Sequence, residues 1–190
     1  MTYWDYHIDN HERYIRSYGE GEGSPNRIRL FKYIPVGASV LDVGCGPGCN
    51  IGHAIQTGHK ISYKGVDNSV KFIEACKNLF PEYPFEVQDA NQLNEPDNSF
   101  DLVILQDVLE HLSGYEQAID EACRVAKSRV LICMWIPLHD GEDKTADMGD
   151  GGYRSEYNSK KFMKYIESKG TVTTDKETEH RTHWYYILDI

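Results

Sequence analysis

The segment Val40-Leu41-Asp42-Val43-Gly44-Cys45-Gly46-Pro47-Gly48 constrains this chain more than any other. An apolar run ends around an acidic residue, and three glycines follow at alternate positions. A buried strand that feeds a turn free of side chains lets a ligand approach the backbone closely. A helix beginning near Asn50 would direct its partly positive amino end at the same place. The combination predicts a nucleotide-like, adenosine-containing ligand.

Strand and helix patterns alternate from there onward. Apolar runs predict strands at residues 39–43, 62–66, 85–88, 100–105 and 129–135, and the fourth is apolar almost throughout, as a strand covered on both faces should be. Helical spacing falls at residues 50–56, 69–79, 115–126 and 159–168. This order predicts an α/β fold, a doubly wound and mostly parallel sheet with helices on both faces. The tail breaks the alternation, because residues 171–174 and 184–189 read as strands with no second long helix between them. An antiparallel C-terminal hairpin accounts for that. Two regions are left over. Residues 1–37 form an aromatic-rich extension, a candidate lid, with a helix at 26–33 that would turn Ile28, Leu30, Phe31 and Ile34 to the core; residues 38–190 form the main domain. Residues 137–157 are acidic, glycine-rich and unpatterned, and loops of that length are usually lids or disordered.

Composition narrows the function classes. With 190 residues, 40% hydrophobic and 26% charged, the chain suits one globular domain. A net charge of −10 argues against a nucleic-acid partner, whose binding rests on Lys and Arg neutralising phosphates. There is no long uncharged apolar segment to span a membrane, and the first residues show no basic-then-apolar pattern, so neither a span nor a secretory signal is expected. Five cysteines without a CxxC pair suggest reduced thiols and a cytoplasmic setting.

A dinucleotide-binding turn needs its third glycine at position 49, where this chain has Cys49. The glycines instead fit D-x-G-x-G-x-G. Asp67 follows Gly48 by 19 residues, at the end of the second strand, where a carboxylate can accept from both hydroxyls of a ribose. Asp89-Ala90 follows the third strand, and the fourth runs into Gln106-Asp107-Val108-Leu109-Glu110-His111-Leu112. In this order the marks resemble the class I S-adenosylmethionine-dependent methyltransferases, the Rossmann-like seven-stranded family, over residues 38–190. The resemblance implies a seven-stranded sheet and S-adenosyl-L-methionine as donor, with S-adenosyl-L-homocysteine as product. It places Asp42, Gly44, Cys45, Gly46, Gly48, Asp67, Asn68, Asp89, Ala90 and Gln106 around that cofactor, with Asp89-Ala90 at the adenine and Gln106 near the methionine portion.

Methyl transfer asks little of the protein, because the donor's sulfonium already activates the methyl group; in-line positioning supplies most of the rate, and a base helps where the acceptor starts protonated. His111 is chemically suited to be that base, although a structural role near the cofactor accounts for it as well. Asp107 would orient an amine of the cofactor or of the substrate. The expected acceptor is an oxygen or nitrogen of a small metabolite. A macromolecular acceptor and a non-catalytic cofactor-binding subunit are the alternatives. Tyr14, Tyr18 and Arg27 are candidates for closing the site from the N-terminal side, and Tyr153 to Asn158 read as a substrate wall or as a helix start capped by Asn158 or Ser159. His7 with His11 shows a helical metal spacing, and His180 and His183 could meet Asp140, Asp143 and Asp147; neither set amounts to a metal site, and solvated polar faces explain both.

Overall fold

The computed structural model of the chain describes residues 25–176 and 183–190. The candidates His7, His11, Tyr14, Tyr18 and His180 lie outside them. Helix α1 (Pro25–Phe31) leads into β1 (Ser39–Val43), α2 (Cys49–Thr57), β2 (Ser62–Asp67), α3 (Val70–Leu79) and β3 (Phe85–Val87). Strand β4 (Phe100–Gln106) is followed by a 3-10 turn (Leu109–His111), α4 (Glu116–Val125) and β5 (Ala126–Met134). Then come β6 (Lys144–Gly149), β7 (Gly152–Glu156), α5 (Ser159–Glu167), β8 (Thr171–Lys176) and β9 (Trp184–Asp189).

Seven strands form one sheet in the order β3-β2-β1-β4-β5-β9-β8. The first five are parallel, β9 runs antiparallel to β5, and β8 runs antiparallel to β9. The doubly wound sheet and its terminal hairpin are therefore as the alternating pattern predicts. Order reverses between β1 and β4, and in such sheets ligands bind beyond the carboxyl ends of the strands at the reversal.

Period-two alternation sorts the strand residues into two cores. Leu102, Ile104 and Leu131 face Ile51 of α2, Ile73 of α3, and Leu30 and Phe31 of α1. Val103, Leu105, Val130 and Ile132 face Ile119 and Ala122 of α4 and Phe162 and Ile166 of α5. Each buried aliphatic side chain contributes about 1.5–3 kcal/mol relative to exposure. Helix α1 departs from expectation in one respect. Leu30, Phe31 and Ile34 are buried, but Ile28 is 48% exposed and Arg27 is buried in its place. Positions 27, 30, 31 and 34 make one helical stripe, and Ile28 lies about 100° off it. Arg29 and Tyr33 clamp the helix to β8 by bonding the carboxylate of Asp175, with Arg29 Nε at 2.7 Å.

Residues 137–157 are a second correction, because they hold an ordered two-stranded hairpin of β6 and β7. Its tip, Asp150-Gly151, has φ of 49° and 82°. Positive φ at both central residues is what a tight hairpin with right-handed twist requires. The hairpin docks on the 3-10 turn after β4. Ser155 Oγ donates to Leu112 O at 2.6 Å, and the Tyr157 hydroxyl to Leu109 O at 2.6 Å. Asn158 caps α5 by accepting from Lys161 N at 2.9 Å.

Glu110 ties that same turn to the chain leaving β5. It is fully buried, and its Oε1 accepts from Trp135 N at 2.7 Å and Ile136 N at 3.3 Å. Burial, reinforced by the nearby charge of Asp107, pushes its carboxyl from the ordinary 4.5 up to about 8. The folded chain thus binds this proton more tightly than the unfolded chain does. Stability is full below about 4.5 and is lost as pH climbs towards about 8. Glu110→Gln keeps an acceptor for Trp135 N and removes the titration. Between about pH 5 and pH 8 its unfolding free energy, measured in urea, should fall less than that of the wild type. Parallel curves for the two proteins would show that Glu110 is not the titrating group.

Candidate functional site

The turn between β1 and α2 is shaped by backbone conformations that other residues resist. Gly44, Gly46 and Gly48 all have positive φ, at 69°, 51° and 78°. A Cβ on Gly44 would lie 2.5 Å from Val108 Cγ2, so the turn presses directly on the chain leaving β4. A Cβ on Gly46 would meet nothing within 4 Å. That side of the turn is open space, a cradle left free where a side chain would otherwise project.

The acidic residue of the motif works beneath the turn rather than in it. Asp42 is 1% exposed and accepts from the Tyr63 hydroxyl at 2.7 Å and from Asn50 Nδ2 at 3.2 Å. Burial pushes its carboxyl up to about 6, against the lowering effect of those two donors. Cys45 also faces inward: its side chain is buried, and its N–H is donated to Val66 O, as is that of Gly44. Asp42 and Cys45 hold the cradle from below. Burial raises the Cys45 thiol as well, which makes it a packing group and not a nucleophile.

Asp67, at the carboxyl end of β2, reaches across to the turn. Its Oδ2 accepts from Gly46 N at 2.9 Å and its Oδ1 from Ser69 N at 2.8 Å. The cap of α3 is Ser69, whose Oγ accepts from Phe72 N at 3.2 Å. Asp67 therefore stands two residues before the cap and fixes the turn to the start of α3. Asn68 beside it is exposed, and so is Asp89 after β3, where Asp89 Oδ1 accepts from Asn91 N at 2.8 Å and Ala90 packs on the core.

At the end of β4, buried polar atoms await partners. Gln106 Oε1 and Asp107 Oδ1 are enclosed without a hydrogen bond among the described residues. Asp107 has φ of 55°, uncommon for a residue with a side chain and a mark of functional turns. Burial pushes its carboxyl up to about 6, against the positive charge of Arg27 and a bond from Gln106. His111 ends the 3-10 turn with Nδ1 3.3 Å from Tyr153 O of the hairpin. A carbonyl only accepts, so Nδ1 carries the proton and Nε2 of the neutral ring holds the lone pair. Burial lowers the pKa of this ring and keeps it neutral near pH 7.

The other proposed groupings come apart. His183 lies beside Asp107 and away from the hairpin acids, with Nε2 3.9 Å from Asp107 Oδ1. Asp140, Asp143 and Asp147 each accept a local hydrogen bond, from Ser159 Oγ, Asn158 N and Gly149 N. Among the described residues no group of three or more His, Cys, Asp or Glu is arranged for a metal ion. Tyr153 belongs to β7 beside His111, and Arg154 stacks over Trp135, its guanidinium carbon 5.4 Å from the ring centroid. Sequence reasoning missed Asn26, whose Nδ2 lies 2.9 Å from His183 Nε2, and the buried position of Arg27.

Comparison with known proteins agrees with this geometry. Residues 41–134 match a family model described as a methyltransferase domain. Ajmaline N-methyltransferase of Rauvolfia serpentina is 34% identical over 107 residues, 53% of this chain and 36% of that protein. Phosphoethanolamine N-methyltransferase 3 of Arabidopsis thaliana is 32% identical over 110 residues, 53% of this chain and 22% of that protein. The chain thus spans well under half the length of these relatives. A solved S-adenosylmethionine-dependent methyltransferase from Mesorhizobium loti superposes with a TM-score of 0.71 at 15% identity, covering 88% of this chain and 99% of that one. The shared fold, the matched domain and the glycine cradle lead to one statement: the chain carries a class I S-adenosylmethionine-dependent methyltransferase domain.

Proposed function

We propose that the protein is an S-adenosylmethionine-dependent methyltransferase that acts on an oxygen or nitrogen of a small metabolite. The observation that carries this reading is the open glycine cradle, flanked by Asp67 on one side and by Asp107 and His111 on the other. Gly44, Gly46 and Gly48 would carry the donor against backbone, Asp67 and Asn68 would take the ribose hydroxyls, and Asp89-Ala90 would border the adenine. Gln106, with its enclosed Oε1, would take an N–H from the methionine portion. The bound donor supplies an activated methyl group.

The chain's own contribution is then placement and proton handling. The hairpin of β6 and β7 covers the 3-10 turn and holds His111 at the rim, so that its ring points with a fixed tautomer. A neutral imidazole with its lone pair on Nε2 accepts a proton from a hydroxyl or an ammonium. The small-metabolite reading is supported by the named acceptors of the two relatives and by the net charge of −10, which disfavours polyanions. The cytoplasm suits it, because all five cysteines are free thiols. No described helix is long and apolar enough to cross a membrane.

Two experiments test the reading. Calorimetry with S-adenosylhomocysteine should show binding to the wild type, and Asp67→Ala should weaken it by about 10–100-fold, the value of one charge-assisted hydrogen-bonding group. No binding, or equal binding by the variant, would remove the cofactor assignment. A screen of hydroxyl- and amine-bearing metabolites for S-adenosylhomocysteine release should then find an acceptor. With that acceptor His111→Ala should lower kcat by about 100-fold or more with little change in cofactor affinity. Undiminished turnover would reduce His111 to a structural part of the turn.

A further inference from the structure

The hairpin side of the site holds an arginine that the donor's cradle does not use. The guanidinium of Arg154, on β7, lies over the indole of Trp135, the residue that follows β5, with its carbon 5.4 Å from the ring centroid. Both side chains are open to solvent, Trp135 by 36%. Stacking engages the face of a guanidinium and leaves the N–H groups along its edge free to meet an oxyanion. Each partner is fixed by its own backbone. Trp135 N donates to Glu110 Oε1 at 2.7 Å, and β7 is anchored where Ser155 Oγ donates to Leu112 O and Tyr153 O accepts from His111. The charge of Arg154 reaches the His111 ring and lowers its pKa, so the stacked pair stands beside the group suited to be the base.

The chain's own acids leave this guanidinium to an outside partner. Arg29, Arg124 and Arg129 are ion-paired with Asp175, Glu121 and Asp189. Among the described residues Arg154 has no such pair, although the chain carries 30 acidic residues against 20 basic ones. Glu156, two positions along the same face of the hairpin, is taken by Lys144 at 3.7 Å. Glu142 and Asp143 are taken by Lys161, and Asp147 accepts from Gly149 N. Glu110, bonded to Trp135 N, has its carboxyl pushed up to about 8 and is mostly uncharged at neutrality. The net charge of −10 does not cancel a local guanidinium, because charges more than about 8 Å apart are largely screened at physiological salt. It deters a polyanion that would lie along the surface, and it admits a single small anion.

We propose that Arg154, seated on Trp135, binds an oxyanion of the acceptor, so that the acceptor is a small metabolite bearing a carboxylate or a phosphate. The proposal rests on the methyltransferase reading above and narrows its substrate class. The edge of the guanidinium presents parallel N–H donors that match either anion in a bidentate contact. That contact fixes one end of the acceptor at the hairpin and leaves the hydroxyl or amine at its other end to be carried towards His111. Anchoring a substrate at a point away from its reacting atom is one way to spend binding energy on in-line placement. Lysine at this position would keep the charge but lose the fork and the stack.

The test uses the full chain with S-adenosylhomocysteine bound, and the NMR signal of the Trp135 indole N–H as a local readout. Three probes are titrated at constant ionic strength: inorganic phosphate, acetate, and acetamide, which has the shape of acetate without its charge. Phosphate or acetate should shift the signal along a saturating curve, and acetamide should not. The tighter of the two anions tells a phosphate ester from a carboxylic acid. Arg154→Gln should weaken the anion by about tenfold or more, and Arg154→Lys by less. No saturation by either anion, an acetamide curve equal to that of acetate, or anion curves unchanged in Arg154→Gln would overturn the role of Arg154 alone. The comparison of acetate with acetamide is made on the wild type, so it decides the matter even where a variant fails to fold. A wild type that does not bind S-adenosylhomocysteine would overturn the methyltransferase reading and, with it, this one.

Discussion

The carboxylate of Asp67 is the contact on which the site depends. It receives N–H groups from two separate pieces of chain, Gly46 in the turn after β1 and Ser69 at the start of α3. Carboxylate bonds to backbone N–H are charge-assisted and about twice as strong as neutral ones. One side chain thereby sets the height of the glycine turn above β2. It also sets the angle at which α3 departs. The same turn is pinned from the other side by the close approach of Gly44 to Val108. Held between β2 and the end of β4, it has little freedom to close over its own cradle, which is why the space beside Gly46 stays open.

The carboxyl side of the sheet also shelters acids whose charge is costly to bury. Asp42 and Glu110 are buried, and Asp107 is sheltered, with carboxyls pushed up to about 6, 8 and 6 respectively. Burying charge near like charge is costly, and proteins tolerate it chiefly where the groups have work to do. The three are not equivalent, however. Asp42 is bound by Tyr63 and Asn50, and one oxygen of Glu110 is bound by two N–H groups, so both act as struts. Asp107 alone combines an enclosed unbonded oxygen, positive φ and a neighbouring imidazole. Its environment resembles that of a proton-transfer group, and those of Asp42 and Glu110 resemble structural supports.

The layered core was legible because it rests on patterns with long range. Apolar runs such as Leu102 to Leu105 are readable as central strands, and the three alternate glycines are readable as a tight turn between β1 and α2. What escaped was decided by single residues. The stripe 27-30-31-34 places Arg27 on the buried face of α1, but its charge hides it from a reading that follows apolar residues, which points to Ile28 in its stead. The hairpin at 144–156 has a fully exposed first strand with no alternation to reveal it; its Asp150-Gly151 turn was the signal available. His183 and Asp107 are 76 residues apart in sequence, and only the insertion of β9 beside β5 makes them neighbours.

These late-found elements share a location. Helix α1 brings Asn26 and Arg27 to the carboxyl end of β4 from one side, while the hairpin brings Tyr153 and Arg154 to His111 and Trp135 from the other. The parallel strands supply the donor's cradle, which the sequence motif encodes within about 30 residues of β1. On the proposed reading the acceptor's surroundings would come instead from segments appended before β1 and after β5. Each is attached by a few side-chain bonds: Asp175 for the helix, Ser155 and Tyr157 for the hairpin. Attachments of that kind can be exchanged without disturbing the sheet. On that reading a common cradle for the donor is compatible with acceptors as different as those named for the two relatives, and the contacts of α1 and the hairpin are where the acceptor of this chain would be sought.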